Sequence, residues 1–199
     1  MVGAFAAYYT ARVLGLDAKP GVFTFVTVLI AAMAVCSLLG VMIERFAYRP
    51  LRKAPKLNSL ITAIGVSLFL QYAGQIVFGA DPKVFPNILE DATLASFGEV
   101  NLQLFDVTIL VVGLIFMAGL TYLIHYTKTG KAMRAVSNNQ VVASLMGINS
   151  NKVIAMTFIM GSSLAGVGSV LVGMKYPKID PLMGTLIGLK AFTAAVLGG

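Results

Sequence analysis

Charge is scarce in this chain of 199 residues: Asp, Glu, Lys and Arg together make up 12% of it, about half the share of an ordinary soluble domain. Cysteine and histidine occur once each, as Cys36 and His125, and tryptophan does not occur. One cysteine excludes a disulfide scaffold. One histidine excludes a histidine-built metal site, which draws on several ligands. Disorder is excluded too, since disordered chains are rich in charge and poor in apolar residues. What fills the sequence is apolar: 58% of residues are hydrophobic and mean hydropathy is +0.87. A soluble core of this length has too high a surface-to-volume ratio to hide that much apolar surface. The composition is that of an integral membrane protein.

Six apolar segments run along the chain: Met1 to about Gly15, Val22 to Ile43, Leu57 to Phe78, Val107 to Tyr126, Val153 to about Lys175, and Leu182 to Gly199. A spanning helix needs about 20 residues to cross roughly 30 Å of hydrocarbon. None of the six alternates with period two over a long stretch, which argues against a β-barrel. Backbone in lipid must satisfy its own hydrogen bonds, so helices are expected. The expected fold is all-α, a polytopic transmembrane helical bundle forming a single domain over residues 1–199.

The few charges are sorted by side. The connections after the second and fourth segments hold Arg45, Arg49, Arg52, Lys53, Lys56, Lys128, Lys131, Arg134 and Lys152 against a single acid, Glu44. The other three connections hold Lys19, Lys83, Lys175 and Lys178 with Asp17, Asp81, Glu90, Asp91, Glu99, Asp106 and Asp180. The positive-inside rule places the first set in the cytoplasm and the second outside, and one alternating path satisfies every connection. The net charge of +7 is thus a topology signal. No DNA- or RNA-binding motif is visible, and nucleic acid is not an expected partner.

The first segment offers about 15 residues before Asp17 and lacks a charged n-region, so it does not read as a signal peptide. The last stops at Gly198-Gly199. Both ends read as cut, and the chain is expected to be a piece of a longer one. In the long outer connection, Pro82 and Pro86 break any helix. The stretch Ile88 to Phe105 is weakly periodic, and reads as an interfacial helix, a strand-like pair or a solvated connector.

No catalytic cluster is visible. His125 sits alone at the end of the fourth segment, and Cys36 lies mid-segment, where an apolar setting dulls a thiol. Gly130-Lys131 looks like the end of a P-loop, but position 125 is His where the motif needs Gly, and Ala132 stands in place of Ser or Thr. No nucleotide site, cofactor or metal is expected, and any uphill transport needs its ATPase on another subunit.

Small residues recur at every fourth position in the fifth segment, at Gly161, Ala165, Ser169 and Gly173, with Gly166 and Gly168 beside them. Such a stripe admits a neighbouring backbone and reads as helix packing before it reads as a substrate path. Gly184, Gly188, Ala191, Ala195 and Gly199 give the sixth segment a similar face. Polar residues at membrane depth are functional candidates. Ser67, Gln71 and Gln75 share one face of the third segment, and either line a translocation path or hydrogen-bond a neighbouring helix. Lys190 sits near the middle of the sixth and must snorkel, pair or meet water. From Leu182 to Leu197 that segment spans only about 24 Å as helix; a half-helix on the transport path is one reading of it.

The connection after the fourth segment is the most informative. Asn138 or Asn139 can cap a helix start, and Gly147 can close it in the left-handed conformation. The short helix between them, Gln140 to Met146, carries Val142, Leu145 and Met146 on one face. Asn149 or Ser150 can then cap the fifth segment. Flanked by Arg134 and Lys152, it reads as a docking element or as an amphipathic helix on the membrane surface.

Five collinear blocks resemble one family. They are Glu44-Arg-Phe-Ala-Tyr-Arg-Pro-Leu-Arg52, Leu60-Ile-Thr-Ala-Ile-Gly-Val-Ser-Leu-Phe-Leu-Gln71, Gly130-Lys-Ala-Met-Arg-Ala-Val136, Ala143-Ser-Leu-Met-Gly-Ile-Asn149 running into Lys152-Val-Ile-Ala-Met-Thr-Phe158, and Gly188-Leu-Lys-Ala-Phe-Thr-Ala-Ala-Val-Leu-Gly-Gly199. Together they resemble the LivH-type permease subunits of branched-chain amino acid ABC importers over nearly the whole chain. The resemblance implies a prokaryotic inner-membrane permease. It would pair with a second, homologous permease, two cytoplasmic ABC ATPase subunits and a periplasmic substrate-binding protein that delivers leucine, isoleucine or valine. It implies a cytoplasmic coupling loop over 127–152, in which Gln140, Val142, Leu145, Met146 and Gly147 form the ATPase-coupling helix. It also implies a further span before this chain and more helix after it. Rival cargoes in the same fold are urea, amides and polar amino acids. A secondary transporter is the rival from another class, and no acidic residue inside a segment supports it.

Overall fold

A computed structural model describes residues 1–15, 21–53, 56–86, 88, 93–97 and 100–198. Of the features read above, Asp17, Lys19, Glu90, Asp91, Glu99 and Gly199 lie outside the described residues.

The apolar segments become helices where the backbone can satisfy itself. Helix α1 covers Val2–Val13, α2 Val22–Ile43, α3 Lys56–Phe78, α4 Leu104–Tyr126, α7 Ser150–Lys175 and α8 Gly184–Gly198. Two further helices, α5 over Lys128–Asn138 and α6 over Gln140–Leu145, fill the connection between α4 and α7. Among the described residues, four helical stretches are long and apolar enough to cross a bilayer: Val22–Tyr48, Leu57–Phe78, Phe105–Tyr126 and Ser150–Lys175. Helices α1 and α8 are shorter, with 12 and 15 residues, or about 18 and 22 Å at the usual rise. The six apolar segments therefore resolve into four helices of spanning length and two shorter ones.

Helices α1, α2 and α7 build the core. Ala4, Phe5, Ala7 and Ala11 of α1 are buried, as are Val28 and Ala32 of α2 and Val167 and Val170 of α7. The small residues explain the closeness. A Cβ on Gly166 would stand 2.8 Å from the Ala32 carbonyl oxygen and 3.1 Å from the Met33 Cα, so α7 lies backbone to backbone on α2. About two turns further along α2, a Cβ on Gly40 would collide with Ser162. A Cβ on Gly3 would collide with Ser169 and stand 3.2 Å from the Gly166 Cα, which wedges α1 into the same groove. The hydroxyls on this face cost nothing in lipid because they bond back to their own helix: Ser162 Oγ donates to the Phe158 carbonyl at 2.6 Å and Ser169 Oγ to Gly166 at 2.7 Å.

The close approaches lie at Ser162, Gly166, Ser169 and Gly173. Gly161 and Ala165, the first half of the four-residue stripe, are exposed, and nothing lies within 4 Å of a Cβ on Gly161. A step of four residues advances 400° around a helix of 3.6 residues per turn, so the stripe drifts by about 40° each time. Two parallel rows of small residues exist here, and spacing alone does not choose between them.

The connections gather at two ends. At one, strand β1 (Lys83–Val84) pairs antiparallel with β4 (Lys178–Ile179). There Gly21 donates to the Ile88 carbonyl at 3.0 Å and Phe85 to the Pro177 carbonyl at 2.6 Å. The Phe85 ring fills the notch left by Gly173. Lys83 donates to the Tyr9 hydroxyl at 2.8 Å, and Lys175 joins Asp106 at 2.9 Å, tying α7 to α4. Strands β2 (Thr93–Phe97) and β3 (Val100–Gln103) form an antiparallel pair in the same connection. Of the three readings of that stretch, it is the strand-like pair that forms.

At the opposite end α2 runs on as a π-turn over Glu44–Tyr48 and a 3₁₀ turn over Pro50–Lys53. Pro50 has no N–H to donate and so fits the opening of that turn. Tyr48 packs against Phe158 of α7 at 5.0 Å between ring centroids. The connection between α4 and α7, made by α5 and α6, lies at the same end against α7, and these are the two connections rich in Lys and Arg.

Outward faces of α3, α4 and α8 are apolar: Ile64, Phe69 and Ile76, Leu110 and Ile115, and Leu186, Leu189 and Phe192 are all exposed. A contiguous apolar surface of this extent is costly in water and costless against lipid tails. The chain is an integral membrane protein.

Candidate functional site: the cationic end

The connection between α4 and α7 is ordered by short polar side chains at each corner. Thr127 caps α5: its Oγ1 accepts from the Gly130 N–H at 3.1 Å and donates to the Leu123 carbonyl at 2.5 Å. Asn139, extended at φ −154°, closes α5 and opens α6, and its Oδ1 accepts from Val141 and Val142 N–H at 3.0 and 3.2 Å. Asn149 does the same for α7, accepting from Asn151 and Lys152 N–H at 3.1 and 3.3 Å. Each cap satisfies orphan donors of a helix start.

Helix α6 ends in a Schellman motif. Gly147 takes φ +82°, its N–H donates to Ser144 at 3.1 Å, and the Ile148 N–H donates to Ala143 at 3.1 Å. Only glycine adopts that backbone without strain. The helix is thus clipped at both ends, and of its residues only Ala143 is buried. Val141, Val142, Leu145 and Met146 are exposed by 68%, 53%, 80% and 79%. Four large apolar side chains on a one-and-a-half-turn helix form an apolar patch, and the neighbouring helices carry Lys128, Lys131 and Lys152, all exposed. Gln140, at the first turn, is exposed as well.

The membrane-depth candidates are not gathered into one site. On α3, Gln71 donates to the Ser67 hydroxyl at 3.3 Å along the same helix face; Ser67 is exposed and Gln71 and Gln75 are half-buried. Lys190 is exposed on α8, and among the described residues its ammonium has no partner. Gly173 faces the Phe85 ring at the other end of the molecule.

Two features escape a reading by motif. One is the π-turn at Glu44–Tyr48, where Glu44 is buried at 5% exposure and its carbonyl accepts from the Arg49 N–H at 2.8 Å. Turns of this kind are frequent at functional sites. The other is the corner between α4 and α5. Arg134 reaches back over nine residues, with Nη1 donating to the Ile124 carbonyl at 2.9 Å and lying 3.4 Å from His125 Nδ1. Both of its terminal nitrogens reach the His125 carbonyl at 3.5 Å. Beneath it, Gly130 is buried against the Leu123 and Ile124 carbonyls, where any Cβ would collide. The signal was present as Thr127, Gly130 and Arg134 at spacings of three and four.

Comparison with known proteins agrees with this architecture. The chain is 40% identical over 205 residues to the high-affinity branched-chain amino acid transport system permease protein BraD of Pseudomonas aeruginosa, covering all of this chain and 66% of that protein. It is 36% identical over 203 residues to the permease protein LivH of Escherichia coli K12, with the same coverage. A shorter stretch of 89 residues, 45% of this chain, is 30% identical to the ribose import permease protein RbsC of Escherichia coli K12. The chain spans about two thirds of the length of the first two relatives. No solved structure matches. The family described as the permease component of the branched-chain amino acid transport system matches residues 1–199, and the chain belongs to that family.

Proposed function

We propose that the protein is a membrane-spanning permease subunit of an ATP-driven importer for branched-chain amino acids in the inner membrane of a prokaryote. The observation that carries this reading is α6: a helix capped at both ends, exposing Val141, Val142, Leu145 and Met146 at the cationic end. An apolar patch on a soluble-facing connection calls for a protein partner, and a cytoplasmic ATPase subunit is the partner whose motion the spans need. Two such ATPases, a second permease and a periplasmic binding protein complete the assembly. Gln140 and Gly147 set the start and end of the coupling helix, and Ser67, Gln71, Gln75 and Lys190 remain candidates for the path. The names of the similar permeases, BraD and LivH, support the cargo.

The partial similarity to a ribose permease supports a second reading, a sugar cargo. Uptake assays on the full-length protein with its partners separate the two. Leucine uptake that depends on the gene and on ATP, and that isoleucine and valine compete while ribose and urea do not, is the expected result. Competition by ribose alone overturns the amino acid cargo, and uptake that survives ATP depletion overturns the importer class.

A further inference from the structure

The corner between α4 and α5 is tied more firmly than a helix-to-helix turn requires. Carbonyls of Leu123, Ile124 and His125, which the end of α4 leaves without intrahelical donors, are met by Thr127 Oγ1 and the Arg134 guanidinium. A cation on these carbonyls also opposes the negative end of the helix dipole. Gly130 gives up about 1 kcal/mol of helix propensity at a position where no side chain fits. Beyond the corner, α5 joins α6 through the single residue Asn139, which caps both. Both α5 and α6 touch α7.

We propose that Arg134 is a positioning residue that locks α4 to α5, so that displacement of α6 moves the inner end of α4 together with α7. The proposal rests on the reading of α6 as the ATPase contact. A flexible corner would let α5 swing and dissipate the displacement. A planar guanidinium spanning two successive carbonyls resists that swing, and a lysine ammonium, a single point charge, cannot span them in the same way.

The test uses the full-length permease in its complete complex, reconstituted in liposomes, and reads leucine transported per ATP hydrolysed. Arg134→Ala is expected to retain the ATPase subunits and their hydrolysis while the ratio falls several-fold. Arg134→Lys, which keeps the charge, is expected to restore it only in part. A second variant, His125→Cys with Arg134→Cys in a Cys36→Ala background, is joined by a short bifunctional maleimide. The cross-link is expected to recover transport, because a covalent tie replaces the guanidinium. A wild-type ratio in Arg134→Ala overturns the proposal. So does loss of the ATPase from Arg134→Ala that the cross-link fails to repair, which would make Arg134 a direct partner contact. Failure of the α6 reading looks different: Leu145→Glu would then retain the ATPase as the unaltered permease does, whatever the ratio in Arg134→Ala.

Discussion

Gly166→Ala, and more so Gly166→Val, is expected to push α2 and α7 apart and to cost about 1–3 kcal/mol of stability, the range for forcing extra volume into a packed interior. The first atoms the new Cβ meets are the Ala32 carbonyl oxygen at 2.8 Å, the Ala32 carbonyl carbon at 3.0 Å and the Met33 Cα at 3.1 Å. All are backbone, so no side chain can turn aside to make room. A Cβ on Gly3 of α1 would likewise stand only 3.2 Å from the Gly166 Cα, so α1 packs at the same spot and the disturbance reaches all three core helices. Thermal unfolding of the purified protein in detergent measures it. Gly168→Ala is the control: nothing lies within 4 Å of its Cβ, so the midpoint should hold or rise. An unchanged midpoint in Gly166→Ala would remove backbone contact as the basis of the α2–α7 packing.

Leu145→Glu is expected to abolish ATPase co-purification with the full-length permease and to bring leucine uptake to background. Leu145 is 80% exposed, and surface substitutions of this kind change stability by about 0.5 kcal/mol or less. The folded permease should therefore accumulate normally. At a closed interface the same carboxylate would be stripped of water beside apolar neighbours, at a cost of several kcal/mol per ion. A large functional loss with no loss of folded protein is the signature of a docking contact. Normal co-purification would count against docking at α6.

Much of this was readable in the sequence because lipid imposes long apolar runs and because caps use few residue types. The ends of α2 and α3 fall within a residue of the apolar segments Val22–Ile43 and Leu57–Phe78. Gly147 and the pair Asn138-Asn139 mark α6 in the sequence, and Asn139 is the one that caps it; of Asn149 and Ser150, Asn149 caps α7. Helix α4 starts three residues before its apolar segment because its first turn, from Leu104, reaches beyond the apolar run, whereas α7 starts at Ser150 directly after the Asn149 cap that the sequence offered. Helix α5 hid behind its charge: Lys128, Lys131 and Arg134 look like a solvated connector, yet Ala132, Met133, Ala135 and Val136 are half-buried at helical spacing. Gly130-Lys131 lacks the rest of a phosphate-binding loop, and the sequence alone offers no other role for the glycine; what it admits is the carbonyl end of α4. Which row of small residues on α7 meets α2 depends on a rotation that spacing does not encode.

Threading with the cationic end inside is the claim on which docking, coupling and the Arg134 link depend. Cysteines introduced singly at Arg49 and Val84, both exposed and at opposite ends, in a full-length Cys36→Ala protein, can be treated in intact cells with a membrane-impermeant maleimide. The account predicts labelling at position 84 at once and at position 49 only after the membrane is opened. Labelling at 49 from outside, with 84 protected, would contradict it.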